Sequence, residues 1–294
     1  MGEKDKAENY LEGYDDVFAD LVNVLLFDGN RVVNPNQLRQ GRERAVYKAD
    51  GELHEEERDI SKYWKRKRVC ISVYGIENQT GIDSVMPLRV IGYDGASYRG
   101  QVLKGAQKKK YPVITLVLYF GTDRPWRRPL KLSDCMDIPD ELYQYVTDYR
   151  INVFNIAFLP DETVEKFTSD FRIVADYFSQ VRKNKDYVPS KETMKHADAV
   201  LKLMSVLTGD HRFQEAQKKG EVHTMCEVMD RVEQRGIRKG IRKGVQKGIR
   251  KGQILLVDAV KRLEQGETRE QLIASGIDEE TVNMAFSFRS ELKM

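Results

Sequence analysis

The chain has 294 residues, of which 40% are apolar and 32% are charged, and its formal net charge is +3. This length is enough for one large domain or two smaller ones. The charged fraction and the lack of an apolar run near ~18 residues predict a soluble protein that does not enter membranes.

The beginning of the chain and its cysteines indicate the cellular compartment. The first ten residues, MGEKDKAENY, contain no apolar core of a secretory signal. The three cysteines are scattered and odd in number, which argues against a disulfide framework and against a cysteine zinc site. We therefore expect a cytoplasmic protein.

Residues 10–28 have the spacing of an amphipathic helix. Its apolar stripe consists of Phe18, Leu21, Val22, Leu25 and Leu26. Asp20 falls on the polar face, where solvated side chains are the ordinary expectation. Residues 29–56 are rich in glycine, proline and charge, and we predict a loop-rich connection with one short strand at Ala45–Lys48.

An antiparallel hairpin is predicted for the segment from Asp59 to Gln79. A basic run, Lys65–Arg68, forms an exposed turn, and the apolar run that follows forms the second strand. With the turn centred near residue 67, Asp59 and Glu77 fall opposite each other, about 5 Å apart across the ladder. Glu77 and Gln79 are two residues apart, so both point to one face of the sheet.

These side chains form a candidate metal pocket. An aspartate, a glutamate and an amide that converge at a strand end offer hard oxygen ligands of the kind that Mg²⁺ prefers. The alternative is a pair of solvated acids at a sheet edge. Glu77, however, ends a run that carries no other charge from Val69 onward, and burying a carboxylate without a partner is costly.

The rest of the first two hundred residues predicts an α/β fold. A helix begins after Asp83 or Ser84, residues 111–121 read as a strand buried on both faces, and Ile151–Leu159 reads as a further strand. Helical patterns follow at Asp161–Tyr187, Glu192–Thr208 and Glu221–Arg235. Early strands with helices between and after them predict a mixed sheet flanked by helices.

Two basic features have two interpretations each. Arg89, just downstream of the hairpin, either contacts a phosphate or neutralises Glu77 or Asp83. The segment Gly121–Pro129, GTDRPWRRP, surrounds Trp126 with three arginines. Such a loop either clamps a nucleic-acid backbone and stacks on a base, or is held in place by a buried tryptophan.

The tail contains a four-residue repeat, RGIRKGIRKGVQKGIRKGQ, beginning at Arg235. Each glycine costs a helix about 1 kcal/mol relative to alanine, so the repeat predicts a marginal helix. Eight Lys or Arg residues and no acid lie between Arg235 and Lys251, so the remainder of the chain has a net charge of −5. Three roles are open: self-association, a basic linker, or phosphate binding.

Short helices follow the repeat. Gly266 and Gly276 should end helices, Thr268 should cap the second, and Asp278 should begin the last. A small helical packing unit is the expectation, with a helix–turn–helix as the alternative.

The order of these elements resembles that of the PD-(D/E)XK nuclease superfamily. Three segments resemble one of its branches, the Rpn-type recombination-promoting nuclease or putative transposase family: FADLVNVLLFDG at 18–29, GIENQTGIDSVMPLRVIGYD at 75–94 and YPVITLVLYFGTDRPW at 111–126. The resemblance covers residues 10–190, and the glycine repeat is also typical of the branch.

The sequence predicts a domain organisation, in which the sheet domain ends near residue 188 because Pro189-Ser190 breaks the helical pattern. Residues 1–188 would form a restriction-endonuclease-like α/β domain with a mixed sheet flanked by helices. An α-helical C-terminal region would follow, made of a helical extension (189–235), the basic glycine repeat (236–252) and a small helical tail (253–294).

The resemblance implies a DNA endonuclease that depends on Mg²⁺ or Mn²⁺. The glycine repeat, interpreted as a self-association segment, predicts a homo-oligomer, a dimer in the simplest case. Asp59 and Glu77 would be metal ligands, joined by the backbone carbonyl of Asn78 and by Asp20 of the first helix. Gln79 stands where the superfamily pattern has a lysine. A glutamine orients water but supplies no charge, so we expect a slow or conditional enzyme with Asp59, Glu77 and Gln79 as catalytic residues.

The alternative is a catalytically weak or inactive nuclease-fold protein that acts as a DNA-associated or self-associating module. A third interpretation, a true transposase with strand-transfer activity, rests on the family name and on no residue of this chain.

Overall fold

The computed structural model describes residues 11–41, 44–49, 52–57, 59–66, 69–103, 109–183, 187–217 and 222–291. The chain divides into two compact units, the first ending at Met229 and the second beginning at Asp230. Within the described ranges, no helix is both long enough and apolar enough to cross a membrane.

The first unit is built on a five-stranded mixed sheet with the order β1–β4–β5–β6–β7. The β1–β4 and β4–β5 pairs are antiparallel, and the β5–β6 and β6–β7 pairs are parallel. The strands of this sheet are β1 (Leu38–Gln40), β4 (Ile60–Arg66), β5 (Val69–Gln79), β6 (Val113–Tyr119) and β7 (Asn152–Asn155). A separate antiparallel hairpin consists of β2 (Arg44–Ala49) and β3 (Glu52–Glu57).

The centre of the sheet is covered on both faces. In β6, Leu116 and Leu118 belong to a large apolar core, whereas Val117 and Tyr119 belong to a smaller one on the other side. The large core includes α1 (Asp15–Phe27), and the smaller one includes α2 (Met86–Leu103). A strand with two buried faces needs a continuous apolar sequence, which is why the sequence predicted β6.

The remaining helices of the first unit surround this sheet. They are α3 (Asp140–Tyr143), α4 (Asp161–Val164), α5 (Phe171–Arg182), α6 (Ala197–Thr208) and α7 (Arg212–Gln217). Apolar residues of α5 and α6 enter the large core, so the helices beyond residue 188 pack on the same core as the sheet. The predicted α/β class, with a mixed sheet flanked by helices and a helical C-terminal region, is confirmed.

Strand content differs from the prediction in two places. Residues 29–56 contain β1 and the β2–β3 hairpin, where the sequence indicated loops and one short strand. These strands are short and rich in charge, as sheet edges are, so they lack a clear apolar alternation. β7 covers only Asn152–Asn155, because the apolar residues after it turn into a 3₁₀ helix, Ile156–Phe158. The structure describes only part of the predicted basic turn, because Lys67 and Arg68 lie outside the described residues.

The second unit is helical. α8 (Met225–Glu264) runs without interruption through the glycine repeat and is followed by α9 (Arg269–Ala274) and α10 (Glu279–Glu291). The predicted stops and caps are confirmed. Gly266 and Gly276 have φ of +97° and +94°, as glycines at helix ends often do. Thr268 forms a capping box with Gln271.

Ionic contacts tie the first turn of α1 to the chain before α6. Asp16 Oδ2 accepts a hydrogen bond from Lys195 Nζ at 2.6 Å, and its carboxylate lies 3.1 Å from His196 Nε2. The His196 ring stacks on Tyr14 with the centroids 3.7 Å apart. Burial favours the neutral acid, but the hydrogen bonds from Lys195 and His196 outweigh it and lower the pKa of Asp16.

This lowered pKa predicts a pH dependence of stability. A carboxylate whose pKa is lower in the folded chain contributes stability that is complete above its ordinary pKa of 3.8 and is lost as the pH falls through the lowered value. Asp16→Asn should therefore reduce the free energy of unfolding by roughly 1 kcal/mol at about pH 6, since the site is partly exposed to solvent. The difference should shrink toward about pH 3.

Urea denaturation across this pH range measures the effect. Asp137→Asn removes an exposed acid that forms no ion pair in the described part of the chain, and it serves as the matched control, for which we expect no such pH-dependent difference. A deficit in Asp16→Asn that stays constant from pH 6 to pH 3 would contradict the assignment.

Candidate active site

Three strands place their ends at one edge of the sheet. β5 and β6 are parallel, and their last residues, Gln79 and Tyr119, are register partners. β4 runs the opposite way and begins at Ile60, which pairs with Ile76. Asp59, which immediately precedes β4, therefore lies at the edge where β5 ends. Ligands of open α/β sheets bind beyond the carboxyl ends of parallel strands.

Asp59 is bound to the end of β5. Its Oδ2 accepts a hydrogen bond from the backbone N–H of Asn78 at 2.7 Å. Extending the Ile60–Ile76 register by one residue places Asp59 opposite Glu77. By this register, the two acidic residues predicted to act together occupy facing positions, Asp59 just before β4 and Glu77 in β5.

The backbone of Asn78 points toward Asp59. The next carbonyl, that of Gln79, accepts a hydrogen bond from Phe120 N at 2.8 Å and therefore faces β6. Successive residues of a strand direct their N–H and C=O groups to opposite sides, so both groups of Asn78 face the β4 side. The Asn78 carbonyl and the Asp59 carboxylate consequently lie on the same side of β5.

Glu77 is buried on the α2 face of the sheet, with a side chain only 1% exposed. Its Oε2 lies 3.6 Å from Arg89 Nη2. Arg89 also donates to Asp83 Oδ2 at 3.0 Å and to the Tyr93 hydroxyl at 3.1 Å. Burial would lower the pKa of Arg89, but the hydrogen bonds to Asp83 and Tyr93 raise it above its ordinary value.

Of the two roles considered for Arg89, the contacts show neutralisation of Glu77 and Asp83. A buried carboxylate needs a counter-charge, and the guanidinium provides it.

The other face of the same strand end is also polar. Asn78 Nδ2 donates to Glu12 Oε2 at 2.6 Å, and Glu12 is fully buried. The sequence interpretation did not single out Glu12. The sequence indicates it only as an acid next to Leu11, at the start of an amphipathic pattern. Through Asn78, this residue links the chain before α1 to the strand end that holds Asp59.

Residues 68–207 match the family whose description reads "Putative transposase, YhgA-like". The match covers just under half of the chain. It contains β5 with Glu77 and Gln79, α2 with Arg89, and β6, so the family inferred from the sequence is confirmed. The family description associates the segment with transposase-type processing of nucleic acid. Neither a curated protein nor a solved structure gives a significant match to the chain.

The strand end offers a donor set that fits a small divalent cation. Mg²⁺ is usually held by one or two carboxylates together with water and substrate phosphate. Asp59, Glu77 and the Asn78 carbonyl match that requirement. Among the described residues, no group of three acidic, histidine or cysteine side chains converges on one point. A cation at this place would share Glu77 with Arg89.

Asp20 is engaged by a different part of the chain. Its Oδ2 accepts from the backbone N–H groups of Thr168 and Ser169 at 2.9 and 2.8 Å, and its Oδ1 accepts from the Thr168 hydroxyl at 2.9 Å. Both oxygens thus hold the segment that leads into α5. These contacts give no support to the metal-ligand role considered for Asp20.

The arginine-rich loop is held by its tryptophan. Trp126 is 2% exposed, donates from Nε1 to the Pro129 carbonyl at 3.0 Å, and packs edge-on against Tyr119 with centroids 5.5 Å apart. Its backbone N–H donates to Asn155 Oδ1 at 2.6 Å. The ring is therefore not available for stacking on a base, whereas the arginines around it are exposed.

The contacts of Asp20 yield a prediction. Asp20→Asn places an amide N–H₂ where a carboxylate accepts three hydrogen bonds, so we expect a loss of about 2–3 kcal/mol of stability. Mn²⁺ binding, followed by electron paramagnetic resonance, should be unchanged. Asp28→Asn at the end of the same helix removes only an exposed ion pair with Lys166, and it should cost less than about 1 kcal/mol.

Normal stability combined with weaker Mn²⁺ binding in Asp20→Asn would reverse this conclusion and restore Asp20 as a ligand.

Proposed function

We propose that the first unit is a metal-dependent nuclease that hydrolyses phosphodiester bonds of DNA. The observation that carries the proposal is the hydrogen bond from Asn78 N–H to Asp59, because it attaches the Asp59 carboxylate to β5 at the residue next to the buried Glu77. The family description supports nucleic-acid processing in general. The three free cysteines suit a reducing cytoplasm.

Asp59, Glu77 and the Asn78 carbonyl would hold Mg²⁺ or Mn²⁺. When bound, the ion supplies charge to the phosphodiester and a water of lowered pKa. Asp59 is oriented by the Asn78 N–H, and Glu77 is oriented by Arg89. Ligands restrained in this way do not have to be ordered when substrate arrives.

Gln79 would orient the attacking water. It follows Glu77 by two residues in β5, so its side chain lies on the same face, and it is only half-buried. Its backbone is held by the hydrogen bond with Phe120. The amide can accept from and donate to water, but it brings no positive charge to the developing anion. A modest rate is the consequence.

Self-association through α8 is a second candidate function. A Cβ added at any repeat glycine would meet no atom within 4 Å, so packing within the described chain requires none of them. The neighbouring apolar residues are 55–61% exposed and form a ridge: Ile237, Ile241, Val245 and Ile249. Glycines let two helix backbones approach closely, and we propose that the ridge pairs with a second copy to form a dimer.

The charge of the repeat separates this proposal from nucleic-acid binding. Two copies would bring two sets of eight cations together, so salt should promote pairing by screening the repulsion. Salt weakens binding to a nucleic-acid backbone instead.

A plasmid assay tests the nuclease. The wild-type chain should nick or linearise supercoiled DNA with Mg²⁺ or Mn²⁺ and not with EDTA. Asp59→Ala should reduce the rate at least ~100-fold, and Gln79→Ala should reduce it strongly. Gln79→Lys should keep or raise activity, because it adds a charge. Glu280→Gln, which changes an exposed acid of α10, is the control, and circular dichroism checks folding. Equal cleavage by wild type and Asp59→Ala would exclude this site.

Sedimentation at about 0.1 and 0.5 M salt tests α8. Substituting leucine at Gly240, Gly244 and Gly248 should loosen pairing, because the added bulk holds the backbones apart although helix propensity rises. The matched alanine triple raises helix propensity with little bulk and should retain most pairing. Pairing that resists the leucine triple, or a mass that stays monomeric throughout, would refute self-association.

A further inference from the structure

The loop after β6 forms a basic groove at the surface of the first unit. The groove has a volume of about 500 Å³. Its lining consists of Ile82, Arg124, Pro125, Arg127 and Arg128. Three arginines and two apolar residues of the described chain therefore line one depression.

The charges in this groove are poorly compensated. Arg128 forms an ion pair with Asp134, with Nη2 and Oδ1 3.2 Å apart. In the described part of the chain, neither Arg124 nor Arg127 forms a salt bridge. Like charges held close together repel one another, and an anion placed between the guanidinium groups would relieve that repulsion.

The groove is also rigid at its base. Trp126, which lies between Arg124 and Arg127 in sequence, is bonded to the Pro129 carbonyl and to the Asn155 side chain. The Asn155 amide donates back to the Trp126 carbonyl at 3.3 Å. The backbone that carries the arginines is thus fixed before any ligand arrives, which reduces the entropy cost of binding.

The groove opens at the edge of the sheet where the carboxylates lie. Ile82 follows Gln79 by three residues and packs in the smaller core together with Trp126. Tyr119 is the register partner of Gln79. Burial raises the pKa of the Tyr119 phenol, the charge of Arg124 opposes that rise, and the charge of Asp123 adds to it. The loops that follow β5 and β6 therefore bring the acids and the arginines to neighbouring positions.

We propose that the Arg124–Arg127–Arg128 groove binds a backbone phosphate of the nucleic acid next to the bond that is cleaved. The inference rests on the proposed function in that it takes DNA as the ligand. Asp59, Glu77 and Asp83 repel a phosphodiester, Gln79 adds no cation, and Arg89 is already engaged by two acids. The groove supplies the missing positive charge. Guanidinium groups bind phosphate through two parallel hydrogen bonds, and such contacts position the backbone without reading its sequence.

The test measures DNA binding without a divalent ion. The full-length wild-type chain in EDTA is titrated into a fluorescein-labelled duplex of about 20 base pairs, and anisotropy is followed at several salt concentrations. Arg124→Gln combined with Arg127→Gln should weaken binding at least ~10-fold at low salt. It should also make the slope of log K against log salt shallower by about 1, since the lost contact with one phosphate contributes roughly 0.9.

Arg99→Gln combined with Arg150→Gln is the matched control. Arg99 lies beside Tyr98, whose hydroxyl accepts from the first residue of β6, and Arg150 precedes β7. Both are exposed arginines at the opposite edge of the sheet. In this control variant, the affinity at low salt and the salt slope should both stay close to the wild-type values. Any change should be only a fraction of the change in the groove variant. An unchanged slope in the groove variant, or an equal change in the control, overturns the proposal.

Calorimetry with inorganic phosphate separates a backbone site from a site for a free anion. Weak or undetectable binding of inorganic phosphate supports the proposal. Tight binding that disappears in the groove variant assigns the groove to a free anion and overturns it. Since no step requires cleavage, an inactive protein that binds DNA through the groove would refute the nuclease and retain the groove.

Discussion

The architecture depends on the burial of β5 from both sides. Because successive side chains of a strand point to opposite faces, the last side chains of β5 lie in two different environments. Glu77 faces α2 and Arg89, whereas Asn78 faces the large core and Glu12. A strand covered on one side only would leave one of these groups in water. Here both must be satisfied by protein partners, and this requirement shapes the candidate site.

Electrostatic compensation then decides how the carboxylates are arranged. Buried charges are tolerated when they are paired and hydrogen-bonded. Arg89 balances Glu77 and Asp83, and the Asn78 N–H orients Asp59. The same rule operates at the start of α1, where the buried Lys62 pairs with Asp15 and donates to the Gly13 carbonyl. These pairs hold α1, β4 and β5 in a fixed relation around one edge of the sheet.

Two kinds of charge lie at that edge of the sheet. The acids come from the start of β4 and the end of β5, and the exposed arginines come from the loop after β6. Parallel pairing of β5 with β6 makes the two loops neighbours, so the acids and the arginines belong to the ends of adjacent strands. The buried Trp126 keeps the arginines outside the core and directed to solvent.

Periodicity and local chemistry were sufficient to determine part of this protein from its sequence. The apolar run of β6, the shared face of Glu77 and Gln79, and the capping box at Thr268 each depend on residues a few positions apart. The partners of polar side chains depend on contacts across the fold. Asp20 bonds to Thr168, 148 residues away, and the acid of the N-terminal segment that bonds to β5 is Glu12. Arg89 and Trp126 each allowed two interpretations in the sequence, because composition does not indicate which surface a side chain meets. Only the packing of the helices and strands against one another decided those pairings.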